Sequence, residues 1–278
     1  MGIVGGPLLI FGGPYSNYAA TFAMKSKAEK LGIGAQNIIC TGDMVAYCAE
    51  PVETLNLIRD WGIHVVMGNC EESLAQNELD CGCGFEEGSS CSTLAITWYD
   101  YANRLVTRDQ REWMAQLPRR IEFEKSGRRF AVVHGSLDSI NEFVFASSNH
   151  VEKRLAQMHK ADIDVVLGGH CGIPFAQSLE DRLWLNAGVI GMPANDGRQN
   201  GWYLLIDESG GELSFSWHAL DYDFESSYQS THNAGMKEYA QALRDGMWPS
   251  TDVLPPQELN EGGNPIQLTT LKYASGPI

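Results

Sequence analysis

The chain has 278 residues, 44% hydrophobic and 20% charged, which is long and apolar enough for one large α/β domain with a full core. Its formal net charge of -15 and pI near 4.8 exclude a broad phosphate-backbone surface, because nucleic-acid binding rests on clustered Lys and Arg. No stretch approaches the roughly 20 apolar residues that span a bilayer, and the apolar opening MGIVGGPLLIFGG lacks a basic flank, so we expect a cytoplasmic protein with neither membrane nor nucleic acid as a main partner.

The elements alternate from the start. PLLIF reads as a core strand, followed by a helix from about Asn17 to Leu31 whose Ala20, Met24, Ala28 and Leu31 share one face. NIIC is a second strand, a helix begins near Pro51, and HVVM is a third strand, so a βαβαβ order predicts parallel strands with right-handed crossovers. Residues 80–92, DCGCGFEEGSSCS, read as a Gly- and Cys-rich inserted loop, and a helical cover follows over 93–118. IEFEK and RFAVVHG form a hairpin around Ser126-Gly127, a helix near 149–161 leads into DVVLGGH, and a strand pair occupies about 176–187. WYLLID and LSFSWHAL are joined by the turn Glu208-Ser209-Gly210-Gly211, and one helix covers about 226–246. We expect the second half to be largely antiparallel, the domain to end near 248, and 249–278 to be an extended tail packed on the body or on a partner. The seven cysteines, an odd number without a secretory signal, favour reduced thiols over a disulfide framework. Cys81, Cys83 and Cys91 could hold zinc with a further ligand, although a reduced or partly oxidised loop is the simpler expectation.

Four short motifs stand just after strand-like runs: Thr41-Gly42-Asp43, Gly68-Asn69-Cys70-Glu71, His134-Gly135-Ser136 and Gly168-Gly169-His170. Singly, Asp43 reads as a turn or cap residue and each His as a hydrogen-bonded structural group. Together, an Asp, an Asn and two His at the carboxyl ends of four strands can meet at one point, which is a metal-site pattern suited to phosphate ester chemistry. Two imidazoles, a carboxylate and an amide oxygen suit Zn, Mn or Fe more than Ca.

The order and punctuation of these motifs resemble the calcineurin-like metallophosphoesterases, in particular a bacterial small phosphodiesterase-like branch with Cys at the position of Cys70. The resemblance extends to Tyr47 with Pro51-Val52-Glu53, to Glu142-Phe143, and to the run from Asn186 to Pro193. It implies a four-layer α-β-β-α sandwich of two mixed sheets and a two-metal centre. Here the first metal's ligands depart from the family pattern: Gly13 stands for an Asp, Tyr15 for a His, and Gly172 for the final His. The second metal's ligands all remain, as Asp43, Asn69, His134 and His170. The resemblance therefore implies one divalent transition metal (Mn, Zn or Fe), no second metal site, and a small phosphomonoester or phosphodiester as substrate. Asn17, Tyr15 and Cys70 are the expected substrate contacts. The competing expectations are a non-catalytic binding or scaffold module on the same fold, and a quartet kept for a structural metal.

Overall fold

The computed structural model describes residues 1–276. In β1 (Leu8–Phe11), Leu8 and Ile10 point one way and Leu9 and Phe11 the other, and all four are buried. A strand apolar on both faces must be covered on both. Leu9 and Phe11 pack with Met24 and Ala28 of α1 (Tyr18–Lys30), whereas Leu8 and Ile10 join residues of a second sheet.

Chain order continues with β2 (Ile38–Cys40), α2 (Pro51–Trp61), β3 (His64–Val65), α3 (Asn69–Gln76), α4 (Ser90–Leu105), α5 (Arg108–Met114), β4 (Arg120–Lys125) and β5 (Arg128–Val133). Then come α6 (Val151–Ala161), β6 (Val165–Gly168), β7 (Phe175–Leu179), β8 (Arg182–Asn186), β9 (Gly201–Ser209), β10 (Glu212–Leu220), α7 (Phe224–Asn233), α8 (Lys237–Asp245), α9 (Pro256–Glu261) and β11 (Leu271–Ala274).

The sheets run β11-β10-β9-β1-β2-β3 and β4-β5-β6-β8-β7. Period-2 alternation in β5, β6 and β8 sends Phe130, Val132, Val165, Leu167, Leu183 and Leu185 between the sheets. Ala131, Val133, Val166 and Trp184 face the opposite way, towards Met158 of α6. The result is the four-layer α-β-β-α sandwich. Among the described residues no helix is long and apolar enough to cross a membrane.

The second half is largely antiparallel as expected, in the pairs β4–β5, β7–β8, β9–β10 and β10–β11, and only β5, β6 and β8 are parallel neighbours, because α6 carries the chain across between β5 and β6. Four expectations change. The helical cover starts earlier, at Ser90 capped by Ser89, and breaks at Thr107, whose side chain forms a capping box with Gln110. The single helix expected over 226–246 is two, α7 and α8, separated by Gly235 with φ 94°.

The fourth concerns the tail. Residues 249–276 contain α9, which opens on Pro256, and β11, which pairs antiparallel with β10 from Glu212↔Ala274 to Phe215↔Leu271. Glu258 is buried and accepts a hydrogen bond from the Ser147 N–H at 2.9 Å. The segment therefore packs on the body and completes a sheet edge, with a helix and a strand in place of an extended chain.

Candidate metal centre

Asp43 follows β2, Asn69 opens α3 just after β3, His134 follows β5 and His170 follows β6. The first two come from one sheet and the last two from the other, so the site bridges the sandwich at one end. Asp43 and His170 both adopt left-handed backbone, with φ of 55° and 59°. Such strain in non-glycine residues persists only where the surroundings impose it. Close approach is also enforced at Gly68, where a Cβ would lie 2.3 Å from Asp43 Oδ1.

All four side chains are buried and converge. His134 Nε2 lies 3.1 Å from Asp43 Oδ2, 3.0 Å from Asn69 Oδ1 and 3.1 Å from His170 Nδ1. The roles of these atoms follow from their outer partners. His134 Nδ1 is 2.7 Å from the Thr41 carbonyl, which can only accept, so Nδ1 carries the proton and a neutral ring turns its Nε2 lone pair inward. Asn69 donates through Nδ2 to the Cys81 carbonyl at 2.8 Å, which leaves Oδ1 facing inward as an acceptor.

Burial and then the charge of His134 push His170 down to about 3, so it is neutral. Burial alone would raise Asp43, but His134 and His170 outweigh it and hold the carboxyl below its usual value. Burial would lower His134, but the Asp43 carboxylate outweighs it and raises the imidazole. Asp43 Oδ2, Asn69 Oδ1, His134 Nε2 and His170 Nδ1 thus face a common point, and His170 Nε2 is buried without a partner. The donor set fits a divalent transition metal. Asp43, His134 and His170 offer ligand atoms within 4.8 Å of one another.

Glu71 is the residue that reading the motifs left without a role. It is fully buried at the third position of α3, and its carboxylate accepts from the N–H groups of Gly68 at 2.9 Å, Asp43 at 2.8 Å, Met44 at 2.7 Å and Val45 at 3.3 Å. Burial and then Asp43 push it up to about 7, against the donors that favour its charged form. Its signal was present in the sequence: Glu three residues after the cap position supplies the N3 half of a capping box, while Gly68 has no side chain to return the bond. Here the side chain caps the helix and also fixes the Asp43 loop.

A family model for the calcineurin-like phosphoesterase superfamily domain matches residues 19–210. The chain belongs to that superfamily. An uncharacterized protein of Methanocaldococcus jannaschii is 24% identical over 230 residues, which is 77% of this chain and 87% of that one. Two solved structures share the fold. A metallophosphoesterase from Sphaerobacter thermophilus aligns with TM-score 0.68 and 18% identity, over 88% of this chain and 100% of its own. A hypothetical protein from Pyrococcus horikoshii aligns with TM-score 0.72 and 17% identity, over 89% and 100%.

The phosphoesterase-family match begins just after the block in which Gly13 and Tyr15 depart from the family pattern. At Gly13 a Cβ would lie 2.5 Å from Tyr15 Cζ and 2.7 Å from Val189 Cγ1, so the Tyr15 ring takes the space a longer side chain at 13 would need. Tyr15 lines a cavity beside His170, where Gly172 lies against Trp248. Cys70 is buried beside Asp43, and its backbone N–H is 3.3 Å from Asp43 Oδ1. Burial, then Asp43, holds its thiol protonated.

Asn17 is not a substrate contact. It is fully buried as the N-cap of α1: Oδ1 accepts from the Ala20 N–H at 3.0 Å and the Ser227 hydroxyl at 2.7 Å, and Nδ2 donates to the Gly191 carbonyl at 2.9 Å. With every polar atom engaged, it ties α1 to α7 and to the 191 loop. Asn17→Ala loses a cap and strands two buried partners, so chemical denaturation should show a loss of about 2–3 kcal/mol, with cation uptake by the folded fraction unchanged.

The Cys-rich loop follows the simpler expectation of partial oxidation. Cys81 and Cys83 form a disulfide, whereas Cys91 lies on α4 with Sγ 3.3 Å from Ser250 Oγ. Three thiols of one loop are therefore not gathered for zinc. The remaining five cysteines are free and buried.

Proposed function

We propose that the chain is a metal-dependent phosphoesterase that hydrolyses a small phosphomonoester or phosphodiester at one cation held by Asp43, Asn69, His134 and His170. The observation that carries this reading is the inward convergence of Asp43 Oδ2, Asn69 Oδ1 and His170 Nδ1 at 3.0 and 3.1 Å from His134 Nε2 in a chain of this superfamily. When bound, a divalent cation polarises a phosphoryl oxygen and lowers the pKa of a water to the neutral range.

The chain supplies the rest. Thr41 holds His134 in the tautomer that exposes Nε2, as outer partners of metal-binding imidazoles do. Asp43 contributes the negative charge nearest the point of convergence, and Glu71 keeps its loop in place. Phe143, with its ring centroid 4.1 Å from that of His170, shields one side from water and raises the worth of each charge there. A single cation lacks the clamp that two provide on attacking and leaving oxygens. Turnover is therefore expected to be slow, about tenfold for each 1.4 kcal/mol of barrier not removed.

The test is a panel of p-nitrophenyl phosphate and bis-p-nitrophenyl phosphate with added Mn(II) or Zn(II). We expect cation-dependent release of p-nitrophenolate that His134→Ala removes. Release that His134→Ala leaves unchanged contradicts the assignment. Cation binding without turnover of either ester would make the protein a binding module on the same fold.

A further inference from the structure

The two glycines that replace first-metal ligands have a structural consequence. Where Gly13 lacks a side chain the Tyr15 ring folds over the backbone, and where Gly172 lacks one Trp248 Cζ2 stands 3.1 Å from the position a Cβ would take. Between them lies a cavity of about 70 Å³ whose wall includes His170 itself. One side is a run of rings, Tyr239 stacked on Tyr47 at 4.9 Å and Tyr47 tilted on Tyr15 at 4.7 Å. Phe143, packed on His170, forms another side. No Asp, Glu, Lys or Arg lines the space among the described residues.

A phosphoryl group belongs at the cation beside His170 and not deeper in this cavity, because a buried anion needs donors or a cation around it and most of the lining is apolar. Its size is also informative. Its volume of about 70 Å³ is less than half the roughly 150 Å³ of a cavity that encloses benzene, so it takes part of one ring, with the rest at its open side, and no fused bicycle. Rings offered by Tyr47, Tyr239 and Trp248 suit offset or edge contacts with another ring. A cationic group would instead stand beside a divalent ion at His170, which repels it across a low-dielectric gap.

We infer that this cavity is a recognition pocket for a neutral six-membered aromatic ring carried by the phosphoester, seated next to the phosphoryl position. The inference rests on the proposed cation site for its phosphate half and on the cavity alone for its ring half. Burying a phenyl ring there should tighten binding by at least about tenfold over a methyl group.

Two probes separate the halves. In calorimetry with the Zn(II)-loaded full chain, phenylphosphonate should bind at least about tenfold more tightly than methylphosphonate. In fluorine NMR with no metal added, 4-fluorophenol should shift and broaden, and tetramethylammonium should not displace it. Leu94→Trp, which fills the pocket from α4, should abolish both the phosphonate preference and the 4-fluorophenol response while zinc uptake persists. Val253→Phe fills it from another wall and serves if the first variant misfolds. Equal affinity for the two phosphonates, a silent 4-fluorophenol spectrum, displacement by tetramethylammonium, or a response that survives both filled variants overturns the inference. Failure to take up zinc overturns the proposed cation site instead, and the 4-fluorophenol result then decides the pocket by itself.

Discussion

His134→Ala should abolish stable cation binding and reduce ester turnover to background. The side chain supplies Nε2 at the centre of the converging atoms, within 3.1 Å of Asp43, Asn69 and His170. Losing an outer partner of a metal ligand typically costs about 10–100-fold in affinity, and losing the ligand at the centre of the set should exceed that. The variant also leaves Asp43 buried without its partner, a cost of about 3–5 kcal/mol in the metal-free protein.

The pH dependence of that cost has a definite shape. Asp43 is held below its usual 3.8, so its contribution is present above that value and fades as pH falls through the lowered one. His134 is raised above its usual 6.5, so its contribution is full below that value and fades as pH rises through the raised one. Metal-free wild type should therefore exceed His134→Ala in stability most between 3.8 and 6.5, as read by denaturant titrations across pH. A difference that is flat from acid to alkaline pH would contradict the pairing.

Glu71→Gln should be nearly as damaging, although Glu71 supplies none of the four converging atoms. Four backbone N–H groups point at its carboxylate, from Gly68, Asp43, Met44 and Val45. An amide has one acceptor oxygen, and its own N–H groups face the same donors. We expect a loss of about 2–4 kcal/mol from poorly satisfied buried groups. We also expect a fall of about 10–100-fold in cation affinity with unchanged stoichiometry at saturation, because the Asp43 loop loses its anchor. Unaltered affinity in a folded Glu71→Gln protein, measured by competition with a metal chelator, would show that the loop holds its shape without it.

What was legible follows a physical pattern. The convergence of Asp43, Asn69, His134 and His170 was legible because each stands just past an apolar run, and strand ends of both sheets meet at one edge of the sandwich. The strands themselves could be read because Leu8–Phe11 and Val165–Gly168 are apolar on both faces. Asn17 was misassigned because an Asn before a helix serves as a cap or a ligand equally well in sequence, and only the contacts to Ser227 and Gly191 decide. Leu271–Ala274 is short and gains its strand identity from β10, far away in sequence, so no local periodicity announces it. The aromatic cavity was equally hidden, since Tyr15, Tyr47, Phe143, Tyr239 and Trp248 come together only through the fold. The sequence departure at Gly13 and Gly172 pointed to missing ligands, whereas the structure adds that aromatic rings occupy their surroundings.

The most direct measurement is the metal content of the purified full chain, saturated with Zn(II) or Mn(II), freed of unbound ion, and read by inductively coupled plasma mass spectrometry. About one ion per wild-type chain and essentially none in His134→Ala are expected. Two ions per chain, none at all, or one retained without His134 would refute the single cation site.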